Sequence, residues 1–397
     1  MQDVDVLIIG SGPAGSSTAL HLCRIDSRWA GRILVLEKAV HPRPKVCSGA
    51  LSHHGAWVLK RLGLNPQIPH LTLNQLRIIH GNRHYTFRGD PVVRVFQRSF
   101  FDHWLAQETR KQGVRVHENE SARAIIIDSN SRNENENQTG GSAGVIVQTD
   151  RQTYRAQMLV IADGSRSNTR KLLKWPFQSR DMARMLDITT AMNPTGQSML
   201  REKRADLFFN RMAAGIQGYY WDIPSLRDGQ YYVNRGLFDS RIITARNRLP
   251  LKPELDRYLR APKRNVQLSD AELKSHPYHC FNPDNSFSRP RILLVGDAAG
   301  SDPLFGEGIS FALGYGSIAA NHIHRSFQKN DFSCRSYRDD LLADPVIKEL
   351  SFRTKLARLA YTFENHKFIH FCWGVASLGI HFTPWSRKDH RPAPDFD

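Results

Sequence analysis

Three glycines and an acid near the N-terminus carry the first chemical signal of this chain. Gly10, Gly12 and Gly15 stand in a G-x-G-x-x-G spacing, with Pro13 and Ala14 between the last two. Such a turn brings backbone against the pyrophosphate of a dinucleotide. Gly10 makes the tight turn, Gly12 admits the pyrophosphate, and Gly15 lets a helix pack close to a strand. The free N–H groups at the helix start then face the phosphates. Glu37 lies 22 residues beyond Gly15, with Lys38 beside it. An acid at that distance accepts hydrogen bonds from ribose hydroxyls.

Further groups able to do chemistry follow along the chain. Asp163 and Gly164 close the run Val160-Ile-Ala-Asp-Gly-Ser-Arg-Ser167. Gly296-Asp297-Ala-Ala-Gly300 closes another, followed by Pro303 and by Gly306, Gly308 and Ile309. Arg98 opens a helical stretch that carries Phe101 and Asp102. Lys45, Cys47, Ser48 and Gly49 share an irregular loop. Each group also has a structural alternative. Asp297 alone suits a helix N-cap, Cys47 a small buried filler, and Tyr219 and Trp221 a sheet core.

These groups need a particular order of elements to hold them. Val4 to Gly10 reads as a buried parallel strand, Ser16 to Arg24 as a helix, and Arg32 to Leu36 as a second strand. Residues 74–95 read as β-ribbon, Arg98 to Gln112 as a helix, and 114–117, 124–128, 144–149 and 157–162 as strands. The polar segment 129–144 reads as a surface hairpin loop. Residues 177–275 change texture, with alternating aromatics and glycine turns that predict a largely antiparallel sheet. Arg291 to Gly296 returns to the buried-strand pattern, and a helix is expected from Gly308 to about Ser326. Residues 331–397 read as helical, ending in a Pro-rich tail.

Composition narrows the classes. At 397 residues, 40% hydrophobic and 23% charged, the chain suits a large folded core and excludes wholesale disorder. Five scattered cysteines without a C-x-x-C pair support neither a disulfide framework nor a zinc site. No metal site and no hydrolytic triad is expected. The N-terminus fits no signal peptide, so a cytoplasmic protein is expected. The net charge of +17 is scattered and carries no nucleic-acid motif, so no nucleic-acid partner is expected. Anionic lipid headgroups remain a partner consistent with that charge, beside a merely basic soluble surface. Phe368 to Trp385 has no formally charged residue but holds two histidines, two glycines and a proline. It suits a buried helix closing a cavity, or an interfacial segment, better than a membrane span.

Together these motifs resemble the flavoprotein superfamily of aromatic hydroxylases, flavin halogenases and geranylgeranyl reductases. Two segments resemble the reductases in particular. Lys45-Val-Cys47-Ser-Gly49 is similar to their Lys-x-Cys-Gly-Gly, and Tyr219-Tyr-Trp221-Asp-Ile-Pro224 to their Tyr-x-Trp-x-Phe-Pro. Ser48 and Ile223 depart from that pattern, and the second segment also approaches the halogenases' Trp-x-Trp-x-Ile-Pro. The resemblance implies FAD as cofactor, held by Gly10, Gly12, Pro13, Ala14, Gly15, Glu37, Lys38, Lys45, Ser48, Gly49, Arg98, Asp163, Gly164, Gly296, Asp297, Gly306, Gly308 and Ile309. It implies Cys47, Tyr219 and Trp221 as catalytic or pocket residues. One dinucleotide turn leaves NADPH or a protein electron donor to dock transiently.

The expected fold is α/β. A discontinuous Rossmann-like FAD-binding domain (1–73, 95–176 and 280–330) receives an inserted mixed or antiparallel-sheet substrate domain (74–94 and 177–279), and helices follow over 331–397. The expected function is reduction of C=C bonds in a prenyl or lipid-like substrate, with peripheral membrane contact as a further expectation. A flavin monooxygenase or halogenase, or a non-catalytic flavin- or lipid-binding protein, are the alternatives.

Overall fold

A computed structural model describes residues 1–128, 144–176, 182–244, 248–268 and 272–362, together with His370 and Gly374. The expected 129–144 loop and the 368–385 segment fall almost wholly outside these residues.

The first sheet is built from apolar runs that are buried on both faces. Gln2–Ile9 lies between Thr153–Ile161 and Ile33–Leu36, parallel to both. Arg115–His117 continues the sheet on one side and Ile292–Leu294 on the other, again parallel. Ala122–Ile127 and Val145–Thr149 pair antiparallel and join the sheet through Thr153–Ile161. Parallel strands with both faces covered need such unbroken apolar sequence. Helices Pro13–Ile25 and Ile309–Lys329 pack together on it.

The second sheet runs in the order Lys274–His279, Met182–Ala191, Gln230–Asp239, Gly218–Arg227, Arg204–Phe208, His70–His80, Arg83–Phe96, Ala50–Ser52. Its pairs are antiparallel except Arg204–Phe208 with His70–His80, which is parallel. Alternation gives it two faces. One carries Ile188, Tyr220 and Leu237 and is covered by the helix Leu251–Arg260. The other carries Leu207, Tyr219, Trp221 and Phe238 and faces the cavity described below.

Several boundaries differ from the sequence reading. The first helix starts at Pro13 rather than Ser16. Proline at the first helical position is pre-set in φ and lacks only an N–H that would have had no partner. The second sheet takes up Ala50–Ser52 and His70–Leu73, which fall inside the expected 1–73 segment. Helices Pro194–Arg201 and Leu251–Arg260 interrupt the region read as sheet. Asn193 caps the first through its Oδ1, which accepts from Gly196 N–H at 2.9 Å. Leu251, Leu255 and Leu259 form the i, i+4 stripe that seats the second.

Candidate active site

One cavity of about 1540 Å³ joins the two sheets. At one end is the glycine turn. Gly10 has φ +108°, and a β-carbon there would meet the Ala162 carbonyl. A β-carbon on Gly15 would strike the Gly10 carbonyl oxygen, so only glycine lets this helix approach the strand. Gly12 caps the helix, with no side-chain cap bond and no acid in the first turn. Gly12, Pro13 and Ala14 line the cavity, so the helix start is open to an anion.

Glu37 lies at the tip of the second strand, 4% exposed. Its Oε2 accepts from Ser11 N–H at 3.2 Å and from Ser11 Oγ at 3.0 Å. Arg43 sits 3.4 Å from Glu37 and 3.4 Å from Asp102. Lys38 joins the wall here. Asp163 accepts from Thr169 N–H and Oγ through Oδ2, while its Oδ1 has no hydrogen-bond partner among the described residues. Gly164 follows it with φ +82°.

Toward the middle, Lys45, Asp297 and His276 form a charged group. Burial opposes ionisation of Asp297, but the Lys45 charge first, then the Ser301 hydrogen bond and the Arg98 charge, outweigh it and hold its carboxyl below the usual range. Burial lowers the Lys45 ammonium, against the pull of Asp297. Burial and then the Lys45 charge push His276 down to about 4. Its Nε2 lies 3.1 Å from Ser165 Oγ. The loop at Gly306, Gly308 and Ile309 passes beside this group and starts the helix Ile309–Lys329. That helix also has no acid in its first turn, so its positive end is free to face a cofactor. A β-carbon on Gly308 would lie 3.3 Å from Asp297 Oδ1.

Cys47 and Ser48 line the cavity opposite this loop. Arg98 lies close enough to the Cys47 side chain to interact with it. Asp102 holds Arg98 in a bidentate pair at 2.9 and 3.0 Å. Burial would lower the guanidinium, but Asp102 keeps it firmly charged. Tyr219 is close enough to Cys47 to interact with it electrostatically. The Tyr219 hydroxyl donates to the Phe305 carbonyl, tying the second sheet to the glycine loop. Trp221 stacks edge-on beside it, ring centroids 6.1 Å apart.

Three of the cofactor residues expected from sequence do not line the cavity: Gly15, Gly49 and Gly296. They work through backbone. Gly49, φ +82°, abuts the Phe96 carbonyl, and Gly296, φ +59°, leaves room for Ala14 with a β-carbon only 2.7 Å away. The sequence reading missed Arg43, His276, Asp187 and Arg353. Arg43 lies in the irregular loop already noted. Asp187 had a readable signal, a lone acid between Leu186 and Ile188 in an apolar strand.

The arrangement can hold a flavin dinucleotide: an open helix start for phosphate, an acid for ribose, Asp297 and Lys45 mid-way, and a glycine loop beside an apolar wall. Comparison with known proteins agrees. The FAD binding domain description matches residues 3–313. A digeranylgeranylglycerophospholipid reductase of Thermoplasma volcanium is 27% identical over 351 residues, covering 84% of this chain and 81% of that protein. A geranylgeranyl bacteriochlorophyll reductase-like structure from Thermoplasma acidophilum superposes with TM-score 0.73 at 24% identity, covering 95% of this chain and 92% of the other. The flavin-dependent halogenase CmlS gives TM-score 0.64 at 21% identity, covering 100% and 75%. The two structural likenesses speak for the fold. The chain belongs to the FAD binding domain family and is an FAD-dependent oxidoreductase similar to the geranylgeranyl reductases.

Proposed function

We propose that this enzyme reduces carbon–carbon double bonds of a prenyl chain. The observation that carries this reading is the continuity of the cavity. The residues suited to FAD open directly onto an apolar sheet face formed by Leu76, Ile78, Phe87, Leu207, Trp221 and Ile223. A polyisoprenoid chain matches such a wall, and close walls exclude water.

When bound and reduced, FAD supplies a hydride. An isolated alkene accepts hydride poorly, so a proton must reach the second carbon as the hydride arrives at the first. Cys47 is the proton donor in this reading. Its S–H bond breaks as the new C–H bond forms, and Arg98 receives the thiolate that is left. Once the product has left, a proton from solvent returns to sulfur. Gly10 to Ala14 take the pyrophosphate, Glu37 the ribose, and Asp297 with Lys45 the ribityl region. Tyr219 and Trp221 hold the chain against the ring. NADPH or a protein donor supplies the electrons in a transient encounter.

The mouth of the cavity supports entry from a lipid surface. Trp57 and Phe352 line it and are 39% and 63% exposed. No described helix is long and apolar enough to cross a membrane. Peripheral contact with anionic lipid is therefore the proposed association, and it should weaken as salt rises.

Reoxidation of the flavin tests this function. The FAD-loaded protein is reduced with dithionite without oxygen and mixed with polyprenyl diphosphates, prenyl alcohols and prenylated ether lipids, none of which carries another group that oxidises flavin. Return of the oxidised flavin spectrum with at least one prenyl compound is expected. No return with any of them, beside rapid return with oxygen alone, would overturn it.

A further inference from the structure

The apolar face of the second sheet ends in polar atoms that have no hydrogen-bond partner among the described residues. Met185 marks the flavin end, since a β-carbon on Gly306 would lie 2.5 Å from its Cε. Asp187 is two residues further on the same face, about 7 Å along the strand. It lines the cavity and is 4% exposed. Its Oδ2 accepts from Asn234 Nδ2 at 2.9 Å, and Asn234 Oδ1 accepts from Trp221 Nε1 at 2.7 Å. Both ends of the Asn234 amide are thus used, and the carboxyl is held in one orientation. Its other oxygen, Oδ1, has no hydrogen-bond partner among the described residues. The same is true of Thr189 Oγ1 and Ser225 Oγ. Register brings them together: Thr189 faces Asn234, and Asn234 faces Ile223, two residues before Ser225. Of the three residues only Asp187 lines the cavity, and a buried carboxyl oxygen without a partner at the end of an otherwise apolar wall calls for a ligand group.

We propose that Asp187 is a specificity-determining residue that accepts a hydrogen bond from a neutral hydroxyl on the substrate, and that this end of the cavity turns away an anionic diphosphate. The inference rests on the prenyl-reductase reading. The polar end of the substrate enters first, which places the double bonds nearest that end beside the flavin loop. Burial pushes the Asp187 carboxyl up, and the Asn234 hydrogen bond and the Lys274 and Arg227 charges only partly offset it. Neutral or ionised, the carboxyl keeps an oxygen able to accept from a hydroxyl. Where the carboxyl is ionised, a diphosphate brings like charge against it and no hydrogen to donate.

The test is a titration of the oxidised, FAD-loaded protein with geranylgeraniol, its methyl ether and geranylgeranyl diphosphate in one detergent, read by the flavin spectrum. The wild type should bind the alcohol about tenfold more tightly than the ether, the difference one hydrogen bond makes. It should bind the diphosphate more weakly than the alcohol. Asp187→Leu should abolish the alcohol preference, and the isosteric Asp187→Asn should keep part of it. Equal binding of alcohol and ether by the wild type overturns the proposal, as does a preference that persists in Asp187→Leu or tighter binding of the diphosphate. Those outcomes leave the reductase reading standing. Failure of all three compounds to bind the wild type removes that reading and this proposal with it. The wild-type comparison alone decides the matter if a variant does not fold.

Discussion

At the scale of single residues, the proposed chemistry turns on Cys47 and the guanidinium beside it. General acid catalysis contributes about 10²–10⁴-fold. Cys47→Ala should therefore slow anaerobic flavin reoxidation by prenyl substrate by about 10²-fold or more, with FAD content unchanged. An unchanged rate would make Cys47 a loop filler. Asp102 is the residue that keeps Arg98 charged and in place. Asp102→Asn should reproduce much of the Cys47→Ala defect, and the rate should fall while substrate affinity holds. The glycine turn, Glu37, Asp297 and Cys47 were legible in the sequence because each stands in a fixed local spacing. Asp187 and His276 were not. Their meaning depends on partners such as Asn234 and Lys45, which only the pairing of distant strands supplies.

At the scale of elements, the helix Pro13–Ile25 decides whether cofactor and sheet meet. Gly15→Ala would force a β-carbon into the Gly10 carbonyl, so the helix must shift. FAD affinity should fall at least tenfold, measured by the flavin retained on dialysis. The same helix carries an acid-sensitive group. Burial, then the Arg61 charge, lowers His21 to about 3 from the usual 6.5. The folded state thus keeps this imidazole neutral while the unfolded chain protonates it first. Its contribution is fully present above pH 6.5 and is lost as pH falls toward 3. Each pKa unit is worth about 1.4 kcal/mol. The urea midpoint should fall steeply from pH 7 to pH 4, and less steeply in His21→Met. Equal slopes would remove His21 as the cause. Element types were largely readable from apolar periodicity. The exceptions have local causes: Pro13 starts its helix earlier than the apolar pattern shows, and Asn193 caps a short helix between two strands of the second sheet.

At the scale of the whole molecule, the helix Pro345–Thr362 is tied through Arg353 to the loop around Gly306. Arg353 donates to Asp302 at 2.8 Å, to Glu307 at 2.7 Å and to Glu349 at 2.5 Å. Asp302 and Glu307 flank Gly306, so the helix fixes the loop proposed to meet the flavin. Arg353→Met would strand buried carboxylates and should lower stability by about 3–5 kcal/mol. Urea denaturation with and without FAD would measure the loss, and bound FAD should recover part of it. This clamp was invisible in sequence, because it spans residues 46 to 51 positions apart. Flavin and prenyl chain are proposed to meet in one dry cavity. A mass spectrum of the product tests it most directly. Reduced enzyme and a prenyl substrate are incubated without oxygen, and a matched sample receives oxygen and halide. A gain of hydrogen pairs in the anaerobic sample is the predicted result. A gain of oxygen or halogen, confined to the aerated sample, would contradict it.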